Sequence, residues 1–271
     1  MIASLERTIN MWTSRGMALM LVLFVCASSP LFAQGAPPLL TNDPDTPGNG
    51  NWEINLGFLP VLRESPNVYH TPQIDINFGL GDRIQLTYEI PYVFQTESGQ
   101  PTRTGWSNAF PGLKFRFLND EHGWNASLFP QLEPGGLSVS VRSRIAERGA
   151  RLLLTAEITK SAGPVNFRFE AGYYVPWHSH EERIVEFTLG HDLTPKLNIL
   201  GEIYNDRAMG TLPQDTTFDA GGQYRFHKGL VVLFAAGRSF SGNATGQPEF
   251  TGYLGMQILL QKFGEELQSA P

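Results

Sequence analysis

The sequence predicts an all-β protein, an antiparallel transmembrane β-barrel of about 12 strands preceded by a cleaved signal peptide. Three observations support this fold class. About twelve segments alternate apolar and polar residues with the period of two that is typical of β-strands. The connections between them alternate between tight turns and longer polar loops, as in barrels that span a membrane. The chain also opens with an export signal.

Residues 1–33 have the features of a secretory signal peptide. Arg7 and Arg15 precede a short apolar run, residues 18–27, and Ala33 provides a small residue at the expected cleavage site. The run is shorter than the roughly 20 apolar residues that a membrane-spanning helix needs. We therefore expect export in a Gram-negative bacterium and a location in the cell outer membrane.

The composition of the mature chain excludes several classes of protein. Removing Arg7, Arg15 and Glu6 from the 20 basic and 26 acidic residues leaves a net charge of −7, which argues against a nucleic-acid partner. The single cysteine, Cys26, lies in the signal segment, so the mature chain has no thiol for disulfides or metal ligation. We expect no cofactor. The expected partners are outer-membrane lipid, a small-molecule solute and the barrel-assembly machinery.

Residues 34–50 are predicted to form a periplasmic N-terminal arm, because they are rich in Pro, Gly, Asn and Asp. Asp43 and Asp45, with Asn42 and Asn49, carry oxygen atoms of the kind that bind Ca²⁺. Proline between the acidic residues favours a structural turn instead, and no metal site is predicted.

The barrel itself is predicted over residues 51–263, with a C-terminal tail over residues 264–271. In order, the predicted strands are Trp52 to Leu62, Thr71 to Leu80, Arg83 to Phe94, Pro111 to Leu118, Trp124 to Glu133, Arg151 to Lys160, Val165 to Val175, Glu182 to Gly190, Lys196 to Asn205, Phe218 to Phe226, Leu230 to Ser239 and Phe250 to Leu260. Ten tilted residues rise roughly 23 Å, which suits the apolar band of an outer membrane. Ile184 interrupts the alternation in the eighth strand.

The stretch QIDINFGLGDRIQLTYEIPY shows the pattern most clearly. Two alternating runs flank Gly81-Asp82, a pair that favours a tight turn. Ile74 belongs to the apolar row and Asp75 to the polar row. Alternation alone does not say which row faces the interior.

Aromatic residues near the strand ends favour a lipid-facing apolar row, because such rings form belts at both membrane interfaces. The alternative is a soluble periplasmic β-barrel with its apolar row inward, around an apolar ligand. The predicted belts are Trp52, Trp124, Phe226 and Phe263 at the short-turn end, and Tyr92, Phe94, Phe110, Tyr174 and Trp177 at the loop end.

Several segments resemble a family of bacterial outer-membrane proteins described as transporters of the meta-pathway of phenol degradation. They are LLTNDPDTPGNGNWEINLGF, GLGDRIQLTYEIPY, GLKFRFL, PQLE, LGHDLTPKLNILGEIY, AAGRSF and FTGYLGMQ. The resemblance spans most of the mature chain. It implies an outer-membrane barrel and a channel for small solutes, with aromatic compounds as one class. It supplies no catalytic or pore motif.

The polar row contains charged residues that we predict to line the lumen. They are Asp75, Glu89, Lys114, Arg116, Arg168, Glu170, Glu202 and Arg225. These residues either border an open passage or pair with one another and fill the interior. The corresponding functions are a channel or facilitated-diffusion transporter, and a structural barrel with a plugged lumen. We expect no enzymatic activity. One alternative, an outer-membrane hydrolase, rests on His178-Ser179-His180 in a predicted loop.

Overall fold

The computed structural model describes residues 37–176, 182–208, 214–240 and 248–261. This part of the chain contains one short helix, α1 (Ser138–Arg142), and thirteen strands. The strands are β1 (Trp52–Leu62), β2 (Asn67–Leu80), β3 (Ile84–Thr96), β4 (Arg103–Trp106), β5 (Phe110–Glu121), β6 (Trp124–Glu133), β7 (Arg151–Ala162), β8 (Val165–Pro176), β9 (Glu182–Thr194), β10 (Leu197–Ala208), β11 (Gln214–His227), β12 (Leu230–Ser239) and β13 (Phe250–Leu260).

Twelve of the strands form a closed antiparallel barrel. Each pairs with its neighbours in chain order, and β1 closes the ring by pairing with β13 along most of its length. The exception is β4, which pairs only with the loop end of β3. The predicted antiparallel barrel of about 12 strands is confirmed, and the predicted signal peptide, residues 1–33, lies outside the described residues. The sequence did not predict β4, because four residues are too few for an alternating pattern to be recognised.

The connections are sorted by length as predicted. Five two- or three-residue turns lie at the end of the barrel where β1 begins and β13 ends. Gly81 and Gly163 have φ angles of 68° and 61° in two of these turns, a conformation that glycine adopts without a Cβ penalty. The longer connections lie at the opposite end and include β4 and α1. We call the two ends the short-turn end and the loop end.

The apolar row faces outward and the polar row faces the interior. In β2, Asp75 and Asn77 are 4% and 2% exposed, whereas the intervening Ile74 and Ile76 are half-buried on the outer face. The same alternation in the other strands leaves large apolar side chains on the outside, among them Phe58, Leu86, Phe115, Leu128, Phe169, Phe187, Leu189, Ile203, Phe218, Leu254 and Met256. A soluble barrel with an apolar interior requires the opposite arrangement.

Aromatic side chains occupy the outer surface at both ends, although two of the predicted members point inward. Trp52 and Trp124 are exposed near the short-turn end. At the loop end, Tyr92 contacts both Phe94 and Trp106, with ring centroids 5.4 and 5.1 Å apart. The assignment of Phe110 and Tyr174 to this belt was wrong, since both line an internal cavity. Trp177 and Phe263 lie outside the described residues.

The alternation of side chains along β8 explains why Tyr174 points inward. It lies four residues after Glu170 and six after Arg168, both of which point inward from β8, so the pleat directs Tyr174 inward as well. Ile184 in β9 has the same explanation, because it is two residues from the buried Glu186 and only 5% exposed. These apolar and aromatic side chains belong to the interior.

The interior has one apolar wall. Val231 and Leu233 of β12 pack with Tyr253 of β13, and Leu59, Ala235 and Leu259 contact this cluster. The lining of the barrel is therefore polar over most strands and apolar over β12 and part of β13.

Among the described residues, no helix has the length and hydropathy to cross a membrane.

The exterior of β9 provides a test of the membrane-facing surface. Phe187 lies near the middle of β9 and is 45% exposed, and Leu193 lies on the same face near its short-turn end with 49% exposure. In lipid vesicles, Phe187→Arg should lower the free energy of unfolding by about 2–4 kcal/mol, because it places a charge near the bilayer midplane. Leu193→Arg should cost only about 0–1 kcal/mol. Equal costs in denaturant titrations would contradict a spanning barrel.

Candidate functional site

The N-terminal arm lies inside the barrel. The sequence predicted a periplasmic arm over residues 34–50, and the structure describes residues 37–50 of it. Thr41 and Asp43 are each 1% exposed. Both contact side chains that project inward from the barrel wall. The arm is therefore part of the lumen rather than a segment outside it, because its charges find their partners there.

Two basic groups of the wall hold the acidic side chain and backbone of Asp43. Arg168 Nη1 lies 3.4 Å from Asp43 Oδ2. Lys114 Nζ donates a hydrogen bond to the Asp43 carbonyl and lies 3.2 Å from Glu157 Oε2. All of these groups are almost fully buried, so each charge depends on its partner to offset the cost of desolvation.

Asp45 makes a second ionic contact closer to the short-turn end. Arg116 Nη1 lies 3.1 Å from Asp45 Oδ1, and Arg116 Nη2 donates to the carbonyl of Asp82 at 2.6 Å. Thr46 Oγ1 also donates to the Asp82 carbonyl at 3.0 Å. The first turn at the short-turn end, which contains Asp82, is thus joined to the arm and to β5.

The preceding part of the arm donates backbone hydrogen bonds to two wall carboxylates. Leu40 N and Thr41 N donate to the two oxygens of Glu202, at 3.0 and 2.6 Å. Asn42 N donates to Glu170 Oε2 at 2.7 Å. Hydrogen bonds to charged acceptors are stronger than neutral ones. The arm therefore binds acidic side chains of the lumen through residues 40–42 and basic side chains through Asp43 and Asp45.

A glycine in β2 allows the arm to pass close to the wall. A Cβ atom at Gly79 would lie 1.8 Å from the Gly48 carbonyl oxygen, so no other residue fits without displacing the arm. Gly50 N donates to the Gly79 carbonyl at 2.8 Å. The arm is thus joined to the barrel by backbone contacts as well as by charged groups.

The eight predicted lumen residues fall into three groups. Lys114, Arg116, Arg168, Glu170 and Glu202 contact the arm. Asp75 and Glu89 lie on the wall away from these contacts and form a cross-strand pair. Arg225 is half-buried near the short-turn end of β11, where its backbone N–H donates to the Lys196 carbonyl at 2.8 Å.

A polar network occupies the interior face of β1, β2 and β3. Asp75 Oδ2 accepts hydrogen bonds from Asn55 Nδ2 at 2.9 Å and Asn77 Nδ2 at 3.1 Å. Gln85 Nε2 and Thr87 Oγ1 in turn donate to Asn77 Oδ1, at 2.8 and 2.6 Å. Such interlinked side chains have few alternative arrangements, so this part of the wall is held in one geometry.

A cavity of about 320 Å³ remains in the lumen on the loop side of the arm. Pro37, Pro38, Leu39, Leu40 and Asn42 form its surface on the arm side. The barrel wall contributes apolar residues, three tyrosines and several carboxylates, namely Leu59, Val61, Leu153, Ile184, Tyr174, Tyr204, Tyr253, Asp75, Glu89, Glu170, Glu186 and Asp219. The arm separates this cavity from the short-turn end.

Several functional residues were not among the eight predicted ones. Asp43 and Asp45 were considered as Ca²⁺ ligands, but they pair with Arg168 and Arg116 instead. Glu186 belongs to the polar row, and its parity with the buried Thr188 could have identified it. Tyr204 could have been identified in the same way, because it lies two residues after Glu202. Tyr253 has no charged residue at such a spacing in its strand.

Two further kinds of site were considered in the sequence, a metal site and a hydrolytic site. In that part, no three His, Cys, Asp or Glu side chains are grouped so that they could hold a metal ion. His178, Ser179 and His180 lie outside the described residues. The lumen contacts are ionic and hydrogen-bonding contacts that position the arm.

Comparison with solved structures places this fold among outer-membrane barrels. An outer membrane channel from Pseudomonas putida F1 superposes with a TM-score of 0.59 at 13% identity, over 82% of this chain and 99% of that chain. The KdgM porin in complex with disordered oligogalacturonate gives a TM-score of 0.54 at 10% identity, over 76% and 98%. The NanC porin gives 0.53 at 7% identity, over 78% and 100%. This chain has the fold of those proteins.

Comparisons at the level of sequence give no match. No family model matches the chain, and no curated protein matches it. At sequence identities of 7–13%, the likeness in structure concerns the barrel fold.

Neutralising Asp43 should loosen the arm. In Asp43→Asn, Arg168 keeps its buried charge without its partner, a change that typically costs several kcal/mol. We expect backbone amide exchange at Thr41 and Asn42 to become at least about tenfold faster, which corresponds to about 1.4 kcal/mol. Hydrogen exchange measured by mass spectrometry on the arm peptide reports this change.

Glu133→Gln is the matched control. Glu133 is equally buried, at 4% exposure, but its partners are Asn108 and Arg151 at the loop end. Exchange in the arm should not change in this variant. Unchanged exchange in Asp43→Asn, or an equal increase in both variants, would contradict the role of the Asp43 contacts.

Proposed function

We propose that the protein is an outer-membrane channel for small solutes, whose passage is narrowed by its own N-terminal arm. The observation that carries the proposal is a polar lumen, with a cavity of about 320 Å³, inside a closed barrel with an apolar exterior. A polar interior offers a solute the hydrogen bonds that it loses on leaving water. Transport is passive, since a concentration gradient suffices to drive it.

The arm determines how wide the passage is. Its ionic contacts lie between the cavity and the short-turn end, which we assign to the periplasm because bacterial barrels place their short turns there. A solute that enters from the loop end meets the arm before it reaches the periplasm. Displacement of the arm by a small distance opens the path, and the barrel hydrogen bonds stay intact.

A second candidate is a structural barrel whose lumen the arm closes permanently. The burial of Thr41, Asp43 and Lys114 favours this function, because each loses hydrogen bonds if the arm moves. The two functions differ in one measurable property, the passage of ions through the purified protein.

The proposal also includes a solute class, the absence of enzymatic activity and a partner for membrane insertion. The resemblance to transporters of the meta-pathway of phenol degradation supports aromatic compounds as one solute class. We propose that the chain is not an enzyme, with lumen charges that serve binding and arm placement. The barrel-assembly machinery is the proposed partner for insertion, as expected for an exported barrel with lipid-facing strands.

Conductance in planar lipid bilayers tests the channel proposal. The full mature chain should give small, discrete current steps. A variant that lacks residues 37–46 should give severalfold larger steps, because the lumen loses the segment that fills it. The variant Asp43→Asn with Asp45→Asn should lie between these two, since the arm remains but loses its contacts with Arg168 and Arg116.

The control carries the same change of charge on an exposed turn. The control variant is Asp120→Asn with Glu121→Gln. Both residues lie at the short-turn end of β5, and both side chains are exposed. Its conductance should match that of the unchanged chain. Absence of current from the full chain would refute the channel, and current from the arm deletion alone would favour the structural barrel that the arm closes.

A further inference from the structure

The ionisable side chains of the described residues that line the cavity on the loop side of the arm are all acidic. Among the residues that the structure describes, no lysine or arginine lines the cavity. Its carboxylates are those of Asp75, Glu89, Glu170, Glu186 and Asp219. A solute in this cavity is therefore surrounded by acidic groups.

The basic side chain that contacts the cavity-lining Tyr174 has its own partners. Arg151 packs over the ring of Tyr174, with 4.3 Å from its guanidinium carbon to the ring centroid. It also forms a salt bridge with Glu133 and another with Glu182, the latter at 3.1 Å. Its charge is thus matched by two carboxylates that do not line the cavity.

Three buried oxygen atoms that border the cavity make no hydrogen bond within the described structure. They are Asp75 Oδ1, Glu186 Oε2 and the Tyr253 hydroxyl. The three residues are 4%, 2% and 6% exposed. Buried polar atoms normally have partners, and each of these three can accept a hydrogen bond from an N–H group. The residues of the cavity wall therefore include acceptors whose hydrogen-bonding capacity the described residues do not use.

The acidic residues are also placed directly opposite one another. Asp75 pairs across the strands with Glu89, and Glu170 pairs with Glu186. Like charges in directly opposed positions destabilise a sheet. Asn42 N donates to Glu170, whereas Glu186 Oε2 makes no hydrogen bond within the described residues. A cation bound in the cavity would offset this repulsion.

The remaining surface suits an apolar body rather than a bare ion. Leu59, Val61, Leu153 and Ile184 line the same space, and the ring of Tyr204 lies directly across from Glu186 on the neighbouring strand. Aromatic faces attract organic ammonium groups, especially where water is excluded. The volume of about 320 Å³ lies at the small end of the range of roughly 300–1,000 Å³ for ligand pockets.

From these features we infer that the cavity is a binding site for a small organic ammonium ion with an apolar or aromatic body. Glu186 and Asp75 accept hydrogen bonds from the ammonium group, and the tyrosines and aliphatic side chains contact the body. The inference names a solute class for the proposed channel and rests on that proposal. It assigns the charge of the solute, which the barrel fold leaves open.

Calorimetric titration of the full mature chain in a non-ionic detergent tests the site. The probes are benzylammonium, benzyl alcohol and benzoate at pH 7, three molecules of similar size that differ in charge. Benzylammonium should bind at least about tenfold more tightly than benzyl alcohol, and benzoate should not bind measurably. Binding of benzyl alcohol or benzoate as tightly as benzylammonium overturns the inference.

Isosteric variants locate the site. Glu186→Gln and Asp75→Asn should each weaken benzylammonium binding at least about tenfold, because each removes one negative charge beside the ammonium group. Glu121→Gln, at an exposed position on β5, should bind like the unchanged chain. Heat-modifiable migration in electrophoresis verifies that each variant folds. Unchanged binding in both folded cavity variants overturns the assignment.

The binding and conductance experiments fail independently. Benzylammonium binding without current from the chain or from its arm deletion supports the site and refutes the channel. Current without preferential benzylammonium binding supports the channel and refutes the site.

Discussion

Closure of the strand ladder between β1 and β13 is the constraint on which the rest of the structure depends. In a bilayer no water is present to satisfy backbone N–H and C=O groups, so a spanning sheet cannot have a free edge. Nine residue pairs join β1 to β13, from Trp52 opposite Leu260 to Leu62 opposite Phe250. Once the ring is closed, the pleat gives every strand one face toward lipid and one toward the lumen.

The closed ring also buries charged side chains in its interior, and the N-terminal arm supplies their partners. Lys114, Arg168 and Glu157 project into a narrow space where water is scarce, and unpaired charges there are costly. Asp43 supplies a carboxylate and a carbonyl where the wall supplies two cations. Before Asp43 in the arm, backbone N–H groups donate to the carboxylates of Glu202 and Glu170. The arm and the wall are electrostatically complementary.

Some features of the candidate site were predictable from the sequence and others were not. Burial of Asp75, Lys114, Arg168, Glu170 and Glu202 follows from their positions in the polar row. Their partners do not follow, because Asp43 is separated from Lys114 by 71 residues and from Arg168 by an even longer stretch of chain. The composition of residues 34–50 indicates an irregular segment, and an irregular segment has no periodicity that relates it to the barrel wall.

The sequence by itself determined the all-β class, the succession of twelve barrel strands and the sorting of turns and loops, since these depend on local periodicity and turn chemistry. Only the tertiary structure decided that the arm enters the lumen and that five carboxylates border one cavity. Those features depend on ring closure and on charge pairing between distant segments. Both arise from the three-dimensional arrangement, and neither has a local signature in the chain.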